Sequence, residues 1–173
     1  EALPFLTIAS VLDTEARSMR LENIGAEVLA KTPHLDHLRV LTLRRQLIHS
    51  TGLEHLLGAY WMEDLEQLHL DENLLGDSGI ALLAASAPWP SLDTLSLRAT
   101  GIARSSVDRL FDSSLMLRLK RLDLSRNDIG WGIGAALRPR LPKARHLEYL
   151  ALKRGGLVRH DAKLLGGGIL DAP

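Results

Sequence analysis

The sequence predicts an α/β solenoid, a horseshoe with parallel strands on its concave face and helices on its convex face. Three observations predict it. A triplet of the form LxxLxL recurs as LRVLTLRRQ from 38, LEQLHLDEN from 65, LDTLSLRAT from 92, LKRLDLSRN from 119 and LEYLALKRG from 147, at spacings of 27, 27, 27 and 28 residues. Two more aliphatic columns keep this register: Ile48, Leu75, Ile102, Ile129 and Leu157 in eleventh place, and Leu56, Leu83, Leu110, Leu137 and Leu165 in nineteenth. Finally, the chain is 46% hydrophobic but only 4% aromatic, so its core must be built from Leu, Ile, Val and Ala.

Each element follows from local pattern. In LxxLxL the fourth and sixth residues share one face with period 2, as a short strand requires. The second half of each unit is patterned as a helix, as in GIALLAASA (79–87) and SVDRLFDSSL (106–115). Pro88, Pro90 and Pro142 are placed to close two of those helices before the next strand. Gly76 and Gly130 mark the turn toward the helix. One strand and one helix cannot bury their shared apolar edge alone, and stacking identical units buries it continuously. Helices are wider than strands, so the stack bends with the strands inside.

Residues 38–173 therefore divide into five repeats starting at 38, 65, 92, 119 and 147. Residues 1–37 read as a divergent N-terminal repeat or cap. Gly25 lies 13 residues before Leu38, as Gly79 lies 13 before Leu92, so its helical half fits the register. Its nearest strand-like string, LPFLTI at 3–8, comes several residues too early and implies an insertion. Trp61, Trp89 and Trp131, near helix ends or loops, are expected to pack between neighbouring units.

These units resemble the leucine-rich repeats, specifically the long, ribonuclease-inhibitor-like class with units of about 28 residues. The resemblance implies that Asn73 and Asn127, in ninth place, satisfy backbone groups at the turn leaving the strand. The other copies carry Gln46, Thr100 and Gly155 there, so the asparagine ladder is expected to be incomplete and those turns less ordered. It also implies a non-enzymatic protein–protein interaction module. The alternative is a targeting or regulatory segment of a larger multidomain protein, ligase-, effector- or GTPase-regulating, with its activity elsewhere.

Composition narrows the function. Twenty-one basic and twenty-one acidic residues cancel, and the isoelectric point is near 7.3, so no global field draws the chain to nucleic acid or a membrane surface. The absence of cysteine removes disulfides, thiol nucleophiles and Cys-ligated zinc. It fits a reducing compartment, and the expected location is intracellular (cytoplasmic), or that of an effector delivered into the cytoplasm. HLDENLLGD (69–77) begins like a calcium loop, but Leu75 and Leu82 occupy positions where a hard cation needs oxygen. Gly130, Gly132 and Ala135 mimic a dinucleotide loop but come six residues after Leu124, at the repeat's own turn. His34 and His37 read as a solvated loop pair, and no serine is set with a histidine and an acid. The expectation is no enzyme, no cofactor and no metal.

Function should sit on the concave face, at the third, fifth, seventh and eighth places of each unit. Its expected partner-binding residues are Arg44, Arg45, Gln67, His69, Asp71, Glu72, Ser96, Arg98, Arg121, Asp123, Arg126, Tyr149, Lys153 and Arg154. Seven bases there face three acids (Asp71, Glu72, Asp123), which predicts a protein partner with an acidic surface. With Tyr149 the one aromatic on the face, stacking of single-stranded nucleic acid is disfavoured.

Overall fold

The computed structural model describes residues 5–7, 20–86, 89–130 and 132–154. Six strands of three residues each form one parallel sheet in strict chain order: β1 (Phe5–Thr7), β2 (Val40–Thr42), β3 (Gln67–His69), β4 (Thr94–Ser96), β5 (Arg121–Asp123) and β6 (Tyr149–Ala151). Between them run α1 (Glu22–Ala30), α2 (Ser50–Leu57), α3 (Gly76–Ala85), α4 (Arg104–Asp112) and the short α5 (Ile133–Leu137). The pairing is in register, Leu41 opposite Leu68, Leu68 opposite Leu95, Leu95 opposite Leu122 and Leu122 opposite Leu150. The architecture is a leucine-rich-repeat solenoid.

All fifteen triplet leucines are buried, from Leu38 to Leu152. So are Ile48, Leu75, Ile102 and Ile129 of the eleventh column and Leu56, Leu83, Leu110 and Leu137 of the nineteenth. Leu157, Leu165, Gly155, Pro88 and Trp131 lie outside the described residues. Trp61 and Trp89 are buried among the leucines as expected. Phe5 pairs with Val40, so the early LPFLTI string does enter the sheet. Helix bounds differ from the pattern: α3 starts three residues before Gly79, and Pro142 sits in a 3₁₀ turn (Leu141–Lys143) instead of closing α5.

The turns are better ordered than an incomplete asparagine ladder suggests. Asn73 accepts from the backbone N–H groups of Gln46 (3.0 Å) and Ile48 (3.1 Å) and donates to the carbonyls of Leu43 (2.6 Å) and Leu70 (2.8 Å). It thereby serves its own turn and the one before. Asn127 repeats this on Thr100 N–H (2.8 Å), Gly101 N–H (3.0 Å), Leu97 O (2.8 Å) and Leu124 O (2.9 Å). Two asparagines thus cover four turns. At the intervening turns the Thr100 hydroxyl donates to Leu97 O (2.7 Å), and Gln46 accepts from Leu21 N–H (3.1 Å).

The fold consequently has a second period of 54 residues laid over the leucine period of 27. Glu22, Gly76 and Gly130, each 54 apart, all have left-handed backbone, as do Leu47 and Gly101. Helix capping follows the same rule. The Asn23 carboxamide oxygen accepts from His49 N–H (2.9 Å) and Gly52 N–H (3.2 Å) at the start of α2. Fifty-four residues on, Asp77 accepts from Ala103 N–H (2.9 Å) and the Ser106 hydroxyl at the start of α4. Each cap comes from the neighbouring helix, so it fastens two units as well as satisfying orphan donors.

Those hydrogen bonds, from Ser106 first and then Ala103, hold the Asp77 carboxyl below its ordinary pKa. A carboxyl depressed in the folded state stabilises the protein above its unfolded pKa, and that contribution disappears as pH falls through the folded value. Asp77→Ala is expected to cost about 1 kcal/mol at pH 7, the usual worth of such a cap. In urea titrations repeated at successively lower pH, the gap between wild type and variant should close below about pH 4.

Candidate functional site

The eighth residue of every unit (Arg45, Glu72, Ala99, Arg126 and Arg154) has left-handed backbone, with φ between 52° and 59°. Such a conformation costs a non-glycine residue about 1 kcal/mol. Here the cross-unit ladder holds it: Arg45 N–H donates to Asp71 O (3.0 Å), Glu72 to Arg98 O (2.8 Å), Ala99 to Ser125 O (2.9 Å) and Arg126 to Lys153 O (2.7 Å). Because all five units share it, this strain belongs to the architecture.

The face divides into two halves of different electrostatics. In the first two units Glu72 takes Arg44 on one carboxylate oxygen, with Nε at 3.1 Å, and Arg45 on the other. Its side chain is only 15% exposed. Burial would raise the Glu72 pKa, but the hydrogen bonds from Arg44 and Arg45 outweigh it and hold the carboxyl low. Asp71 accepts from the Ser96 hydroxyl and from Arg98 N–H (3.0 Å), and Ser96 itself is buried. Two bases and two acids in these units leave no net charge at the seventh and eighth places.

The last three units carry Arg98, Arg121, Arg126, Lys153 and Arg154 against one acid, Asp123, which accepts from Ser125 N–H (2.8 Å). The whole positive excess of the face therefore lies here. Arg121 is exposed and stacks its guanidinium over the Tyr149 ring, 4.8 Å from the centroid. A cavity of about 340 Å³ opens among Arg98, Arg126, Tyr149, Lys153 and Arg154, with Asp123 and Ser125 in its wall. A smaller one of about 230 Å³ adjoins it through Asp123 and Tyr149 and reaches His69, Thr94 and Arg121. Gln67 and His69, both half-buried, lie on β3 at the border between the halves.

No protein-family model matches the chain, and no curated protein does. Among solved structures, it is similar to an internalin (inlF) from Listeria monocytogenes, at 18% identity and a TM-score of 0.45 over 85% of this chain and 50% of that one. The chain thus spans half the length of that structure.

The fourteen expected contact residues thus separate into groups. Glu72, Asp71 and Ser96 are engaged within the fold, and Arg44 and Arg45 are tied to Glu72. The five later cations surround open space. Sequence columns held this signal, because seventh and eighth residues of successive units are neighbours across the ladder. Stacking Arg44–Arg45 against Asp71–Glu72, and finding no acid in the same columns of later units, predicts the division.

Among the described residues, no group of three or more His, Asp or Glu is placed to hold a metal ion. No described helix is long and apolar enough to cross a membrane.

Proposed function

We propose that this chain is a protein-recognition module whose partner docks an acidic surface on the C-terminal half of the concave face. The carrying observation is the confinement of the face's positive excess to Arg98, Arg121, Arg126, Lys153 and Arg154, while the first two units neutralise themselves. Arginine suits the role because its planar fork pairs bidentately with carboxylates and keeps its charge. Three strands spaced by about 4.8 Å, with their turns, offer a footprint that one helix or one protein edge covers. Tyr149, backed by Arg121, supplies the aromatic anchor that such interfaces favour. No part of this role requires catalysis, a cofactor or a membrane.

The test is affinity capture from lysate of the source organism with wild type and the Arg98→Glu/Arg121→Glu variant, compared by quantitative mass spectrometry. A protein recovered by wild type and lost from the variant supports the docking surface. Equal recovery by both would move the contact to the helical side.

A further inference from the structure

We infer that the cavity between the last two described units is a phosphate-monoester site, which the docking partner or a small soluble ester would fill. The inference deepens the docking reading and rests on it only in placing the carrier along the same face. Arg98, Arg126, Lys153 and Arg154 converge on about 340 Å³ of open space from three successive units. Asp123 is the one carboxylate in that wall, and its Oδ1 already accepts from Ser125 N–H. Among the described residues no carboxylate pairs with the side chains of Arg98, Arg126 or Arg154. The Arg98 Nε is moreover buried without an acceptor, a state that buried donors seldom keep.

The number of donors decides the class of ligand. A carboxylate brings one charge and two oxygens, too few for three guanidinium forks. A phosphate monoester brings a charge of about −1.5 to −2 and three strong acceptor oxygens. A phosphodiester in a nucleic-acid strand carries less charge per group. Strand binding also needs cations tracking a line with several stacking rings, whereas these cations ring one cavity beside a single tyrosine. The ester's organic portion would lie along Tyr149, which also lines the adjoining 230 Å³ recess that reaches His69.

The experiment titrates the ¹⁵N-labelled chain with inorganic phosphate, phenyl phosphate and acetate at matched ionic strength, following arginine side-chain resonances. Saturable shifts at Arg98, Arg126 and Arg154 with both phosphates and none with acetate are expected. Arg126→Gln and Arg154→Gln, both at exposed positions, should each weaken phenyl phosphate by about tenfold, while Arg39→Gln, immediately before β2 and outside the cavity wall, should not. Equal response to acetate, or binding undiminished in the Arg126→Gln/Arg154→Gln double variant, would overturn the site. So would a single-stranded oligonucleotide that binds more tightly than phenyl phosphate.

A degenerate phosphoserine peptide library and its unphosphorylated copy separate the two sources. Enrichment of the phosphorylated library assigns the ester to a partner side chain. Phenyl phosphate binding without enrichment assigns it to a small soluble ester. A protein partner still captured by the Arg98-, Arg121-dependent face without any phosphate response would sink this site and leave the docking reading standing.

Discussion

Asn73→Ala is expected to cost about 3–5 kcal/mol, a large share of the roughly 5–15 kcal/mol that holds a domain together. The side chain is buried and makes four hydrogen bonds of 3.1 Å or less to backbone groups of two units. Its loss leaves the N–H groups of Gln46 and Ile48 and the carbonyls of Leu43 and Leu70 without their partner. Each unsatisfied buried group costs about 1–3 kcal/mol, less where water can enter the space vacated. Thr100→Val, which removes one hydroxyl donating to Leu97 O, should cost only about 1 kcal/mol. Urea unfolding of the two variants measures the contrast, and amide exchange at Gln46 and Ile48 should accelerate in Asn73→Ala alone. Equal losses would mean that the turns are held by something other than the asparagine ladder.

The second large effect is expected at Trp61, which is fully buried as the second residue of the 3₁₀ turn Tyr60–Asp64. Trp61→Ala should cost about 3–5 kcal/mol through lost contacts and the cavity left behind. Trp61→Phe should behave differently. The Trp61 Nε1–H has no acceptor, so phenylalanine loses part of the packed area but removes a buried donor whose desolvation costs about 1–3 kcal/mol. The two terms nearly offset, and a change within about 1 kcal/mol is expected in thermal and urea unfolding. A loss as large as alanine's would show that the indole nitrogen is satisfied in solution.

How much of this was legible in the sequence depends on which period is read. The 27-residue period is written in leucine, and leucine at Leu41, Leu68, Leu95, Leu122 and Leu150 has only one thing to do in a stacked sheet. Strand order, register and core therefore follow from the triplets. The 54-residue period is written in polar residues whose identities differ between copies. Asn23 and Asp77 each cap a neighbouring helix through a side-chain oxygen, and Gln46 and Thr100 complete different turns, so identity alone conceals their common role. Left-handed backbone at Glu22 and Leu47 carries no glycine to announce it, although Gly76, Gly130 and Gly101 mark the corresponding places.

The candidate site was legible in part for a related reason. Listing the outward residues of each unit finds the concave face, and a total of seven bases against three acids finds its sign. A total hides location. Charges in a solenoid act on the residue above and below them, and Glu72 sits where it holds Arg44 and Arg45 together. Only the columns, read from unit to unit, show that Arg126 and Arg154 have no acid in the same place of the described units beside them, and that Asp71, the neighbour of Arg98, is already engaged by the Ser96 hydroxyl and the Arg98 N–H.

The most direct measurement is the affinity of the captured partner, by titration calorimetry, for two variants that change opposite halves of the face. One is Arg98→Glu/Arg126→Glu, and the other is Arg44→Gln/Arg45→Gln/Glu72→Gln, which deletes the ion pairs of Glu72 with the two arginines. The basic-half reading predicts a loss of about a hundredfold or more in the first, since reversal sets like charges against the partner's acids. It predicts a change within about threefold in the second, whose ion pairs face each other instead of the partner. Comparable losses in both variants, or a loss confined to the second, would contradict it.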